Sequence, residues 1–425
     1  MIDVAELEKY NPWWKTGKVR GEWLEQYKRK LYYEVLKYVN RRQIILIQGL
    51  RRTGKTTILF QIIQNLLDKG ITPKNLLYFS FDEIVYDIKE ILEIYQKLVL
   101  EKSFEKTKNR IYIFLDEVQK VENWEEKLKV FYDLYPSLKF FISGSSSIRL
   151  RKKAKESLAG RIIDFTLDPL DLEEFLQLNG YDTQEIRKNP ELWKGEILPM
   201  FYKYLKYGSF PELAREENED FARKYIIDSI VERIIYKDIA QEFEIRDVEL
   251  LKKILYLIGR NPGMIVNFKE IGKNFGKDER TISNYFEYLE YGLLVKIVFN
   301  YRSSPLATMR KLKKVYFTTP NLIFALNPYF EILLPKMLEN LIAAVPEVNY
   351  FYRNKYEIDF IIEKEKIEAI EVKLEGKKLK QLRKFISDKK FSKKIGRCIV
   401  IDLEKEGEED GIKIIPAWKF LLHKD

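Results

Sequence analysis

A chain of 425 residues, 46% hydrophobic and 33% charged, has the length for roughly two to four soluble domains with sizeable cores. Cys398 and His423 are the only residues of their kinds. That excludes an intrachain disulfide, all but excludes a His/Cys zinc site, and leaves carboxylates, lysines, arginines, hydroxyls and bound metal to carry any chemistry. The formal net charge of +10 favours a polyanion such as nucleic acid, and with no long apolar run and no apolar leader the expectation is a cytoplasmic protein without a membrane span.

Residues 1–42 contain Asn11-Pro12-Trp13-Trp14, then Trp23, Tyr27, Leu31, Val35 and Tyr38 at intervals of three or four. This predicts an aromatic arm and a helix over 22–38, packed on a core that is expected over 43–165. The first strand of that core, 43–48, runs into Gly49-Leu50-Arg51-Arg52-Thr53-Gly54-Lys55-Thr56, and a helix begins at Thr57. The stretch fits G-x-x-x-x-G-K-[ST], a loop whose inward N–H groups cradle phosphates. Gly49, Arg51, Arg52, Thr53, Gly54, Lys55, Thr56 and Thr57 are thus the candidate ATP-binding residues. Lys55 would reach the β- and γ-phosphates and the Thr56 hydroxyl would bind Mg²⁺. A second strand is predicted at 75–80, a helix at 87–102, and an apolar strand at 111–117 that ends in Asp116-Glu117. Asp116 would hold Mg²⁺, and Glu117 would polarise the attacking water as general base. After a helix at 124–135, a fourth strand at 138–145 ends in a polar turn. Strands alternating with helices imply a parallel sheet. Arg161, after a basic segment, is a candidate arginine finger or sensor.

Residues 166–245 read as a helical lid, with a turn at Tyr207-Gly208-Ser209-Phe210-Pro211. Residues 246–318 read as a winged helix-turn-helix: a helix at 268–275, a turn at Gly276-Lys277, and a second helix capped by Asp278. Ile282, Tyr285, Phe286 and Leu289 form its buried stripe. Lys277, Arg280, Thr281, Ser283 and Asn284 lie off it, where a recognition helix carries its contacts. Strands at 293–301 and 314–318 would form the wing, with Arg302, Arg310, Lys311, Lys313 and Lys314 in or beside it. Such a domain contacts DNA or docks proteins. Residues 319–425 begin with an amphipathic helix at 330–345 that carries Glu339. Strands at 356–362 and 367–374 come next, with Asp359 on one and Glu371 and Lys373 on one face of the other. That is the arrangement of a metal nuclease. Glu339, Asp359 and Glu371 would hold Mg²⁺ or Mn²⁺, and Lys373 would serve the attacking water. A basic stretch at 377–384 would touch the DNA backbone. The alternative is a solvated hairpin.

The expected fold is α/β: a P-loop ATPase parallel sheet with a helical lid, a winged helix-turn-helix and a C-terminal α/β nuclease-like domain. The stretches GLRRTGKTT, IFLDEVQ, ISGSSS, LAGRI, YGSFPEL, KKVYFTTP and YEIDFII with IEVK carry a resemblance. The chain resembles an archaeal and bacterial family of AAA/STAND-type P-loop ATPases with a winged helix and a restriction-endonuclease-like C-terminal domain. Members often have Asp where Thr319 stands. The resemblance implies ATP and Mg²⁺ as cofactors, a γ-phosphate sensor at Ser143 or Ser145, DNA as a partner and a homo-oligomer. The leading expectation is a DNA-associated ATPase with a nuclease-like domain. Its rivals are an ATP-driven signalling switch that docks an unknown protein partner, and a slow ATP-binding scaffold.

Overall fold

The computed structural model describes residues 3–83, 86–107, 109–145, 157–302, 308, 312–373, 379–391 and 394–423. The chain divides into two compact units, Met1–Asp168 and Pro169–Asp425.

The first unit is built on five strands: β1 (Ile44–Gly49), β2 (Leu76–Ser80), β3 (Ile111–Asp116), β4 (Leu138–Gly144) and β5 (Ile162–Leu167). Their order is β2-β3-β4-β1-β5, and every pairing is parallel. Period-2 alternation splits the apolar residues between two faces. Ile44 and Leu46 of β1 join Phe79, Ile113, Leu115, Phe140 and Trp124 on one side. Ile45 and Ile47 join Phe114, Phe141 and the helix stripe Ile58, Ile62, Leu66 on the other. That stripe belongs to α1 (Lys55–Asp68), the helix that leaves the glycine-bounded loop. Another helix, α2 (Trp124–Leu134), covers the first face.

β2 is an edge strand, and the N-terminal arm covers it. Asn11 substitutes for a strand partner: its Nδ2 donates to the Tyr78 carbonyl at 2.9 Å and its Oδ1 accepts from the Tyr78 N–H at 2.6 Å. The Trp13 and Trp14 indoles both donate to the Leu76 carbonyl. The Trp pair is therefore a packing device that blunts an open edge. The helix expected over 22–38 is shorter, Lys30–Leu36. Gln61 of α1 explains this, because its Nε2 donates to the carbonyls of Glu25 and Tyr27 and so takes them from any helix ladder.

In the second unit, helices come first. The winged-helix segment is next: α3 (Val248–Arg260), α4 (Phe268–Phe275) and α5 (Glu279–Tyr291), with β6 (Met264–Ile265), β7 (Val295–Asn300) and β8 (Lys313–Phe317). Asp278 caps α5 by accepting from the Thr281 N–H at 2.9 Å. Then come α6 (Leu334–Ala343), β9 (Tyr350–Arg353), β10 (Glu357–Glu363), β11 (Ile367–Lys373), α7 (Leu379–Ser387), β12 (Ile395–Asp402), β13 (Gly407–Glu409), β14 (Ile412–Pro416) and α8 (Ala417–Leu422). Among the described residues these nine strands form one sheet, β13-β14-β12-β11-β10-β9-β7-β8-β6. The join is the parallel pairing of β7 with β9, Phe299 opposite Tyr350 and Asn300 opposite Phe351. The domain boundary expected at 318/319 therefore falls inside a continuous sheet. Among the described residues no helix is long and apolar enough to cross a membrane.

Candidate active site

The site of the first unit lies where β1, β3 and β4 end. Gly49 closes β1, and its place tolerates no side chain: a Cβ there would stand 2.3 Å from the Leu167 carbonyl oxygen of β5. Beyond it the loop curls through Arg52 (φ 63°) and Gly54 (φ 96°), both left-handed. The Thr53 hydroxyl donates to the Leu50 carbonyl at 2.8 Å. Buried Lys55 aims its ammonium into the curl and donates to the carbonyls of Gly49 (3.1 Å) and Leu50 (3.0 Å). Arg29 braces the loop from outside, donating to the carbonyls of Thr53 and Asp168, each at 3.0 Å.

Asp116, the last residue of β3, is the hub. Its Oδ2 accepts from the Thr56 hydroxyl at 2.6 Å and the Tyr78 hydroxyl at 2.9 Å, and its Oδ1 accepts from the Ser143 hydroxyl. Burial pushes its carboxyl up and the Glu117 charge adds to this. Hydrogen bonds from Ser143, Thr56 and Tyr78 pull the other way, and the net shift is upward. Burial, and then Asp116, raise the Tyr78 phenol well above its ordinary value, so it stays a donor. Glu117 sits at φ 56°, a left-handed conformation rare for a residue with a Cβ and a mark of functional positions. Its N–H donates to Ser143 Oγ at 3.3 Å, and its Oε2 accepts from Gln119 Nε2 at 2.5 Å. Gln119 also donates to Ser145 Oγ at 3.0 Å. The two serines thus serve different acids, Ser143 touching Asp116 and Ser145 reaching Glu117 through Gln119.

Lys55, Thr56, Asp116, Glu117 and Ser143 are thereby brought together, with Thr57 next on α1. Arg161 is not. Parallel register sets Ile44 opposite Ile162 and Gly49 opposite Leu167. Arg161 therefore stands at the opposite end of the strands, roughly 20 Å from the loop at about 3.3 Å per residue. It pairs there with Asp133 in a fork, at 2.8 and 3.1 Å. A sensor role for Arg161 within its own subunit is corrected by this placement. Tyr78, Gln119 and Arg29 were missed by sequence reasoning. Tyr78 looks like any core residue of an apolar strand, and only Gln119, two residues past the acids, carried a local signal.

The acids of the second unit are arranged differently from expectation. Lys373 Nζ lies 2.7 Å from Glu371 Oε2 and 3.3 Å from Asp359 Oδ2, and that same Oδ2 accepts from the Val372 N–H at 2.9 Å. Burial, then repulsion from Asp359, pushes Glu371 up to about 8, against the pull of Lys373. Glu339 is held separately: Oε1 accepts from the Tyr316 hydroxyl at 2.6 Å and Oε2 pairs with Lys336 at 2.8 Å. Lys314, expected to be available in the wing, is buried instead, with Nζ 2.8 Å from Glu357 and 3.7 Å from Glu339. Burial pulls its pKa down, but Glu339, Asp359 and Glu357 outweigh that and leave it raised. Among the described residues no group of three or more acids, cysteines or histidines is placed to hold a metal ion. Of the expected ligand set, both oxygens of Glu339, Oδ2 of Asp359 and Oε2 of Glu371 are engaged by protein donors instead. Of the other basic residues expected at the wing, Arg302 donates to the Arg353 carbonyl at 2.7 Å. Arg310, Lys311 and the start of the 377–384 stretch lie outside the described residues.

Comparison with known proteins gives two family matches: "AAA domain" over residues 41–176 and "Domain of unknown function (DUF8612)" over 198–331. Two Methanocaldococcus jannaschii proteins, "Uncharacterized protein MJ1544" and "Uncharacterized protein MJ1637", are each 29% identical, over 409 and 440 residues. The first alignment spans 89% of this chain and 88% of the relative, the second 93% and 89%. An "Uncharacterized protein" of Haemophilus influenzae is 27% identical over 256 residues, 59% of this chain and 61% of its own length. Among solved structures, C. elegans PCH-2 has 16% identity and a TM-score of 0.27, over 63% of this chain and 68% of that one. The S. cerevisiae Hsp104-ADP complex has 12% and 0.30, over 62% and 38%. With the parallel five-stranded sheet, the match over residues 41–176 identifies the fold of the first unit as that of an AAA-type P-loop ATPase.

Proposed function

We propose that the first unit binds ATP with Mg²⁺ and hydrolyses it. The observation that carries this is the convergence of Thr56, Ser143 and Tyr78 on the Asp116 carboxylate, beside Lys55 and Glu117. Thr56 and Asp116 place hard oxygen donors side by side, the kind of atom Mg²⁺ takes. When bound, the cation would neutralise charge developing on the phosphoryl oxygens. The loop N–H groups and Lys55 hold the phosphates. Glu117 takes the proton of the attacking water, oriented by Gln119. Ser143 reads the γ-phosphate and passes its state to Asp116 and to the Glu117 backbone. Arg161 acts as a finger only if a second copy receives it.

For the output, the charge on and beside α5 favours docking of a protein over DNA. The solvent side of α5 presents Glu279 and Glu287 against Arg280, and Lys277 is paired with Asp247 at 2.9 Å. A helix with that balance does not attract a phosphate backbone.

Steady-state phosphate release tests the ATPase. Glu117→Gln should keep ATP affinity and slow turnover by roughly 10²-fold or more. Lys55→Ala should lose binding. Equal turnover in Glu117→Gln and wild type would sink the proposal.

A further inference from the structure

We propose that Lys314 is the resident cation of the acid cluster in the second unit and that its ammonium occupies the place a divalent metal would take. Four carboxylates gather on one side of the sheet: Glu339 from α6, Glu357 and Asp359 from β10, and Glu371 from β11. Lys336 and Arg353 meet Glu339 and Glu357 from the more exposed side, and two strand lysines serve the cluster from within. Lys373 of β11 takes Glu371 and Asp359, at 2.7 and 3.3 Å. Lys314 of β8 takes Glu357 at 2.8 Å and faces Glu339 at 3.7 Å. The second lysine comes from the winged-helix segment, and its 5% exposure leaves it no route to solvent that keeps its packing. A buried ammonium is stable only where acids surround it, and acids so gathered are stable only with a cation among them. Tyr316, two residues along the same face of β8, completes the arrangement with its 2.6 Å bond to Glu339. A divalent ion brought to these oxygens would meet an ammonium within direct Coulomb range, in a medium that screens poorly.

This cluster is accordingly an internal ion-pair network and takes no metal while Lys314 is present. The inference does not rest on the ATPase reading, since the cluster lies wholly within the second unit.

The test is titration of Mn²⁺ into the full chain without nucleotide, with free Mn²⁺ followed by electron paramagnetic resonance. Mn²⁺ held by the first unit is common to all variants and cancels. Wild type, Glu339→Gln and Asp359→Asn should give superimposable isotherms. Lys314→Met should gain one further equivalent, bound at least about tenfold more tightly than anything the second unit holds in wild type. Adding Glu339→Gln to Lys314→Met should remove it. Circular dichroism reports folding, and Lys314→Gln, which keeps a polar tip, replaces the Met variant if that does not fold. A wild-type equivalent that Glu339→Gln or Asp359→Asn abolishes overturns the proposal. So does a folded Lys314 variant that gains no equivalent. If neither variant folds, the wild-type comparison decides alone.

Discussion

Lys139 shows what the alternation of a strand can force on one residue. It lies in β4 in the slot that shares a face with Phe141, and it is fully buried. Its Nζ donates to the Gln43 carbonyl and lies 5.2 Å from the Phe141 ring. Burial, with Arg110 adding to it, brings its pKa from 10.5 down to about 7. The fold therefore favours the neutral amine. Its contribution is fully present above the unfolded pKa and is lost as pH falls toward the folded one, so the first unit should gain stability from pH 7 toward 10. Lys139→Met should flatten that slope and stabilise the unit at pH 7 by roughly 1–4 kcal/mol. Urea unfolding at several pH values measures both, and an unchanged slope would refute the assignment. Nothing local to Leu138-Lys139-Phe140-Phe141 marks the lysine as interior; only the helices packed on that face do.

At the scale of elements, α5 gives the sharpest test. Were it a recognition helix, reversing Lys277 and Arg280 to Glu would weaken DNA binding and reduce its salt dependence. With Glu279 and Glu287 on its solvent side and Lys277 paired, the expected result is no change, read by fluorescence anisotropy on labelled duplex from low to physiological salt. A loss of affinity of about tenfold or more would restore the DNA reading. The same scale explains what was legible in the chain. The loop from Gly49 to Thr56, the acids ending β3 and the Asp278 cap are each written within one strand, turn and helix, so spacing alone exposed them. The helix expected over 22–38 was shortened by Gln61, well away in the chain. Tyr78, Arg161 and Lys314 owe their places to strand order and register, which periodicity does not carry. Local chemistry was thus readable, and the partners supplied by distant segments were not.

For the whole molecule, the division at residues 168/169 has a thermodynamic signature. Calorimetry of the full chain should resolve two transitions. ATP with Mg²⁺ should move only one, by about 2.7 kcal/mol at a hundredfold excess over Kd. Lys55→Ala should abolish that movement, and a single transition displaced as a whole would show that the units unfold together. The nine-stranded sheet also bears on how such a chain can be recombined. A chimaera that exchanged residues 319–425 for those of a relative would cut between β8 and β9 and leave the far side of β7 with no native partner beyond what the graft happens to supply. Its open N–H and C=O groups would then invite pairing between copies. The segment that can be traded intact is Pro169–Asp425, so the smallest transferable module is the one that carries the wing and the acid cluster together.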